Sequence, residues 1–533
     1  MKEMSNEPTK TNEAMKTMKK FLSMAALALV GAVMTGCSSD DSLTGKAQEP
    51  AVKNNVVTLT TTVNLGGDGT RALTDGGVKT FGEGDKIAVI YKNSNNETKK
   101  VESVALTDGN ITNEGKSATF TVTLEAPKGG EPVRYIYPAA MAAETVETST
   151  EVTADATINY AALASQDGTL ATLEKEYDLA VFDGSLTAGA TLPASSTLEN
   201  KLAILAYTIK NADASSDLTN TITRLTVSDG PNTYGVTRTA AAGPVYVAIL
   251  PTSDAKISIM AAAGLTTYTK CLTGKTYASN NIYKAGLKMT EVPGAIPGMF
   301  SISSDGKTVF SKGNLRYASG TWSFFDNQYD YYTSYSAAAW DKFGWSTSAT
   351  TYGMSTSDSG YSGDFADWGS NAISNGGNTA NSGWFTLSSD EWTYLFDTRS
   401  ASTVGGTSNG RYAKAKVNNV WGVILFPDAY THPSGVTAPV GINVTGNTGW
   451  NGNTYDATAW SKMETAGCVF LPAAGLRSGT SVGYVGEFGL YWSRTGGGPY
   501  DPSGVRFGSG IVYPADQNDR SYGFSVRLVR PVE

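Results

Sequence analysis

Residues 55–251 are dominated by short segments in which apolar and polar side chains alternate, separated by clusters of glycine, asparagine and aspartate. Examples are NVVTLTTTVNL (55–65), KIAVIY (86–91), ATFTVTLEA (118–126), VRYIYP (133–138), KLAILAYTI (201–209) and VYVAILP (245–251). A period of two turns one face of each segment inward and the other outward, as in half-buried strands of antiparallel sheet. The spacing predicts two small β-sandwiches within 55–290. Composition agrees, because only 17% of the 533 residues are charged and 58 are glycine, which suits many strands joined by turns. The net charge of −8 argues against nucleic acid as a partner, since neutralising phosphates needs a basic face.

Tryptophan marks a second kind of region. All ten tryptophans lie between 322 and 492. The boundary is expected at EVPGAIPG (291–298), where two prolines and two glycines interrupt the strand pattern and suggest a linker. Residues 299–533 are expected to form a separate domain. Within it, SSDEWTYLF (388–396) has a Ser/Asp N-cap signal, acids in its first turn, and Trp392, Leu395 and Phe396 on one face, so it reads as a helix. TAWSKMETAG (458–467) reads as a second, shorter one. GVILFP (422–427) and CVFLPA (468–473) suit buried strands, and FSVRLV (524–529) alternates Phe524, Val526 and Leu528 inward as a closing strand.

The N-terminus carries an address. Lys16, Lys19 and Lys20 precede the apolar run FLSMAALALVGAVM (21–34), which is shorter than the ~20 residues a membrane-spanning helix needs and has the layout of a secretory signal, taken here as 1–36. Translation is expected to start at Met15 or Met18, with 1–14 upstream. MTGCSSDDS (34–42) follows and resembles a bacterial lipoprotein lipobox, which implies that Cys37 carries diacylglycerol and anchors the mature chain in the outer membrane. Its SSDD resembles a surface-export signal, and 37–54 is expected to be a lipid-attached tether. Cys271 and Cys468 remain and fall in different expected domains, so they are read as separate small hydrophobes and not a disulfide.

Several motifs, in order, resemble the fimbrillin family, the FimA/Mfa-type pilus subunits of Gram-negative bacteria. They are TRA (70–72), FGEGDKIAVIY (81–91), YIYPA (135–139), LENKLAILAYTI (198–209), VYVAILP (245–251) and NIYKAGLKM (281–289), and with the lipobox they span most of 37–290. The resemblance implies two transthyretin-like sandwiches and a maturation cut after an arginine, Arg71 by position. It also implies removal of the strand 55–65 and its replacement by a donor strand from a neighbouring fimbrial subunit, a case of β-strand addition.

The C-terminal region resembles another group. MFSISSDGKTVFSKGNLRY (299–317), WDKFGWSTS (340–348), WFTLSSDEWTYLF (384–396), WSKMETAGCVFLPAAGLRSG (460–479), GLYWS (489–493) and YGFSVRLVR (522–530) are similar to secreted bacterial domains with a C-type-lectin-like fold. That group is related to formylglycine-generating-enzyme-like and major paralogous domains. The likeness runs from 299 to 531 and implies an α+β fold. Members of this layout include targets of diversity-generating retroelements, which randomise codons just before the terminal strand. Residues 491–524 sit in that window.

Catalytic chemistry is sparse. The single histidine, His432, stands beside Pro433 in a polar loop, and Cys468 lies within an apolar run, so no Ser/His/Asp or Cys/His arrangement is visible. Asp364, Asp367, Asp390 and Glu391 are the carboxylates available for glycoside hydrolysis, but Asp390 and Glu391 fit a helix's first turn better. Zinc and EF-hand spacings are absent, and DQNDR (516–520) is only a loose echo of a lectin calcium site. No enzyme activity, cofactor or metal is expected. The aromatic, Arg, Asn and Gly-rich stretch 491–522 is expected to be the ligand-contacting face. Its contact residues are expected to be Tyr491, Trp492, Arg494, Tyr500, Asp501, Arg506, Phe507, Tyr513, Asp516, Asn518, Arg520 and Tyr522. The whole chain then reads as a lipid-anchored surface adhesin, at a pilus tip or alone, that binds a protein or glycan on another cell. The alternative is a structural fimbrial subunit without a ligand.

Overall fold

The alternating segment at the start of the chain forms the strand Val56–Leu65, held in the interior of a sheet. It pairs antiparallel with Ser117–Glu125, from Val56↔Glu125 to Asn64↔Ser117, and parallel with Ser195–Asn200, from Thr62↔Ser195 to Leu65↔Leu198. Among the described residues the sheet has eight strands in the order Thr98–Glu102, Ala88–Lys92, Pro132–Tyr137, Ala180–Ser185, Ser195–Asn200, Val56–Leu65, Ser117–Glu125, Ile111–Thr112. Its halves are joined in the ladder at Ala180↔Asn200 and Val181↔Glu199, and Val104 N–H donates across to the Thr121 carbonyl at 2.9 Å. The inward faces of both halves share one core, where Val63, Tyr91, Phe120 and Tyr135 are buried and Phe81 meets Phe120 and Tyr137 edge-on at 5.4 and 5.1 Å. The computed structural model describes residues 56–66, 79–348, 350–357, 361, 363–446, 450, 452–496 and 502–533. The expected signal and tether, Cys37, Arg71, Tyr500 and Asp501 lie outside the described residues.

A second sheet of seven strands follows, in the order Thr233–Thr237, Arg224–Ser228, Thr252–Ala263, Thr266–Tyr277, Ile282–Glu291, Ala203–Asn211, Val245–Ile249. Its first and last strands are tied together by residues 166–168. Gln166 N–H donates to the Gly235 carbonyl at 2.8 Å, its own carbonyl accepts from Thr237 at 3.0 Å, and Tyr246 N–H donates to Gly168 at 3.0 Å. The Gln166 amide also spans to both backbone groups of Ala248. Bonding the edges to one loop leaves less unpaired backbone exposed to pairing with another chain.

The tryptophan-rich region is built from small sheets and short helices. Ala295–Ser301, Lys307–Ser311 and Val529–Pro531 form a three-stranded sheet that joins its two ends. Val420–Leu425 pairs with Tyr412–Val417 and Val469–Pro472, so both apolar runs expected as buried strands are strands. The expected helices also form. Ser389–Thr393 continues as a wider turn over Tyr394–Thr398, and Ala457–Thr465 is capped by Asp456, whose carboxylate accepts from Ala459 N–H at 2.7 Å.

Two expectations are corrected. FSVRLV does place Phe524, Val526 and Leu528 in the core, but it is not one regular strand. It hands its backbone bonds from Phe343 to Leu490 to Leu315 to Ser311 as it threads between them, and ladder pairing begins only at Val529. The segment 291–298 is not a free linker either. Ala295–Ser301 is buried along its whole length, and Gly298 is needed because a Cβ there would stand 2.3 Å from the Gly467 carbonyl oxygen. Gly294, Pro297 and Gly298 serve close packing in place of flexibility.

Residues 54–533 accordingly form one unit. Met260 and Ala262, on the outer face of the second sheet, are fully buried in the cluster that holds Trp322, Trp340, Trp345, Trp368, Trp384 and Trp492.

Candidate functional site

Three antiparallel strands, Phe488–Gly496, Pro502–Gly508 and Val512–Gln517, carry most of the expected ligand face. Alternation along the first two divides most of their residues between two buried clusters, Leu490 and Trp492 in one and Tyr491, Val505 and Phe507 in the other. Trp492 is fully buried, stacked on Phe524 at 4.1 Å, and its indole N–H donates to the Phe343 carbonyl at 2.7 Å. Tyr491 is equally buried, its hydroxyl donating to Pro472 and accepting from Asn314, and burial raises its ionisation above the usual tyrosine range. Phe507 lies under it with rings 6.1 Å apart and fits because residue 489 is glycine: a Cβ there would stand 2.0 Å from the Phe507 ring. Arg520 is 9% exposed, its guanidinium 4.9 Å from the Trp345 ring centre. These four expectations are corrected, because their side chains build the core and present no contact surface.

The surface keeps a smaller set. Arg506 and Tyr513 are cross-strand partners, with the guanidinium 5.4 Å from the ring centre, and Arg506 also pairs with Asp516 at 2.9 Å. Asn518 donates to Asp516 at 3.0 Å. Tyr513 and Tyr522 are 47% and 38% exposed. Arg494 is half-exposed and turned to the helix at Ser389, where it donates to Glu391 at 2.9 Å and to the Thr386 carbonyl at 3.2 Å. Glu391 also closes a capping box with Ser388, so it belongs to the helix start.

Of the candidate catalytic groups, His432, Asp367 and Glu391 are held by structural bonds. His432 Nδ1 meets the Tyr430 hydroxyl at 2.9 Å and its Nε2 meets the Val436 carbonyl at 3.0 Å. Cys468 is fully buried, which pushes its thiol up to about 12. Asp367 caps the turn Trp368–Ser370 and accepts from Thr386. Among the described residues, no three or more His, Cys, Asp or Glu side chains are grouped to hold a metal ion.

A site the sequence reading missed lies where the second sheet meets the tryptophan-rich region. A cleft of about 610 Å³ opens between residues 160–164 and 230–234 on one side and 301–307, 394–402 and 428–429 on the other. Its floor is a chain of buried charges. Lys307 donates to the Ser301 hydroxyl at 2.6 Å and to the Gly230 carbonyl at 2.9 Å, Ser301 donates to Asp428 at 2.5 Å, and Asp428 pairs with Arg399 at 2.8 Å. Burial lowers the Lys307 ammonium below the usual lysine range, and Asp428 and Asp229 oppose that shift. Ala429 beside them has φ 52, a left-handed conformation costly for a residue with a Cβ. No local motif could have revealed the cleft, because six separated segments build it, Leu250 among them.

No protein-family model matches the chain, and no curated protein matches it. Among solved structures, a fimbrial assembly protein from Parabacteroides distasonis is similar at 11% identity and a TM-score of 0.27, covering 48% of this chain and 96% of its own. The tip fimbrial protein Mfa3 from Porphyromonas gingivalis, truncated at its C-terminus, is similar at 11% identity and a TM-score of 0.23, covering 44% of this chain and 95% of its own. Likeness at this level carries no argument about what the present chain does.

Proposed function

We propose that this chain is a cell-surface adhesin or fimbrial subunit, exported and lipid-anchored through Cys37, with a lectin-like C-terminal region that meets a protein or glycan on another cell. The observation that carries the reading is the place of Val56–Leu65. This first described strand is held between two others, yet its only fully buried hydrophobic side chain is Val63, and Val56 is 60% exposed. A strand so placed can be replaced by another extended segment, because backbone ladder bonds accept any sequence with the right alternation. In this reading a cut after Arg71 releases it and a neighbouring subunit's donor strand takes the groove. The test is to treat the purified full chain with an arginine-specific protease and follow assembly by native electrophoresis. The expected result is loss of residues up to 71 and growth of polymers, both abolished by Arg71→Ala. A chain that is trimmed yet stays monomeric with added partner strand overturns it.

The contact face then comprises Arg506, Tyr513, Asp516, Asn518 and Tyr522, which support the reading because they are polar or aromatic and reach solvent within the expected stretch 491–522. Changing Arg506, Tyr513 and Tyr522 to alanine together is expected to abolish adhesion of cells displaying the protein while leaving its melting temperature in place. Unchanged adhesion would leave the chain a structural subunit.

A further inference from the structure

The cleft at the joint has the size of a small-ligand site, and such sites gather where two structural modules meet. Its walls include the rings of Tyr160, Tyr234 and Tyr394. The Tyr234 hydroxyl is already committed, donating to Asp229 at 3.2 Å and accepting from Leu250 N–H at 3.1 Å, and the residue is buried, so it closes the wall and the accessible rings are those of Tyr160 and Tyr394. The rim offers polar groups instead. The Tyr394 hydroxyl, the Asp305 carboxylate and the hydroxyls of Ser304 and Ser402 make no side-chain hydrogen bond with other described residues. Asp305 Oδ1 stands 3.8 Å from where a Cβ on Gly230 would be, so the carboxylate reaches across the joint.

Charge narrows the ligand class. Lys307 and Arg399 are offset in the floor by Asp428, and Asp305 adds a negative charge at the rim, so an anion gains little there. A cation would face the Lys307 ammonium. What remains is a neutral molecule with an apolar face to lay on tyrosine rings and many hydroxyls to donate to a carboxylate and exchange with serines. We propose that this cleft binds a neutral mono- or disaccharide, independently of the face around Tyr513. The buried chain Lys307–Ser301–Asp428–Arg399 would keep the floor rigid, so that little ordering is needed on binding.

The test uses the full chain on a printed array of neutral mono- and disaccharides, followed by calorimetric titration with the sugar that binds best. The expected result is binding that weakens by roughly tenfold in Asp305→Ala, which removes a charged acceptor, and by a similar factor in Tyr394→Ala. Tyr513→Ala should bind as the parent chain does. Asp305 is exposed, so its variant should melt as the parent does, which separates a lost contact from a lost fold. The proposal is overturned if no sugar on the array binds, if Asp305→Ala and Tyr394→Ala bind like the parent, or if Tyr513→Ala abolishes binding.

Discussion

Trp492 shows how one buried side chain can hold several segments. Its ring covers Phe524 and its N–H reaches Phe343, so it joins Phe488–Gly496 to two other stretches of backbone. Trp492→Ala removes both contacts and leaves a cavity, and is expected to destabilise the chain by about 3–5 kcal/mol in urea unfolding. Cys468 gives a residue-scale prediction in pH. Its thiol is held near 12 by burial, above the ordinary value near 8.5, so the folded chain keeps the proton where an unfolded one releases it. The stability this supplies is complete below the ordinary thiol value and is lost as pH rises through about 12. Mass spectrometry after iodoacetamide at about pH 9 should find Cys468 unmodified in the folded chain and alkylated in urea. Alkylation of the folded chain would contradict the burial.

At the scale of elements, ends and edges matter most. The helix beginning at Ser389 is only one turn of regular α-helix before it widens, so its start depends on the Ser388–Glu391 box and the Arg494 contact. Ser388→Ala should cost about 1 kcal/mol, read as a lower urea midpoint with unchanged slope. That start was legible in SSDEW, because capping is a local matter of which side chain can reach which N–H. The terminal segment FSVRLV was legible only in part. Its alternation correctly placed Phe524, Val526 and Leu528 inside, but period two says nothing about whether one neighbouring strand runs alongside for its full length. Here Phe343, Leu490, Leu315, Ser311 and Phe385 share it.

At the scale of the whole molecule, the joint between the second sheet and the tryptophan-rich region is packed as a core. Gly235 meets it so closely that a Cβ would stand 2.8 Å from the Ala164 carbonyl oxygen and 3.0 Å from that of Ala429. With Met260 and Ala262 also sealed beneath the tryptophans, calorimetry should show the second sheet and the C-terminal region unfolding in one transition. Gly235→Val is expected to force those carbonyls apart, raising hydrogen exchange at residues 160–168 and 428–431. Two transitions in the parent chain would mean that the joint is weaker than its burial implies.

What the sequence alone determined is whatever depends on near neighbours. Strand alternation, turn punctuation, helix caps and the β-rich character of 55–290 are governed by side chains a few positions apart. The exposure of single residues in 491–522 was not of this kind. Arg506 and Phe507 are adjacent and chemically ordinary for a binding face, yet one lies on the surface and the other beneath Tyr491, because the sheet has two sides and only packing decides which is covered. The linker was misread for the same reason, since glycine and proline mark a flexible chain and a tight crossing alike. The inter-module cleft was beyond any local reading. Tyr160, Tyr234, Asp305, Tyr394 and Asp428 become neighbours only when the second sheet docks on the region after it, and their chemistry arises from that contact.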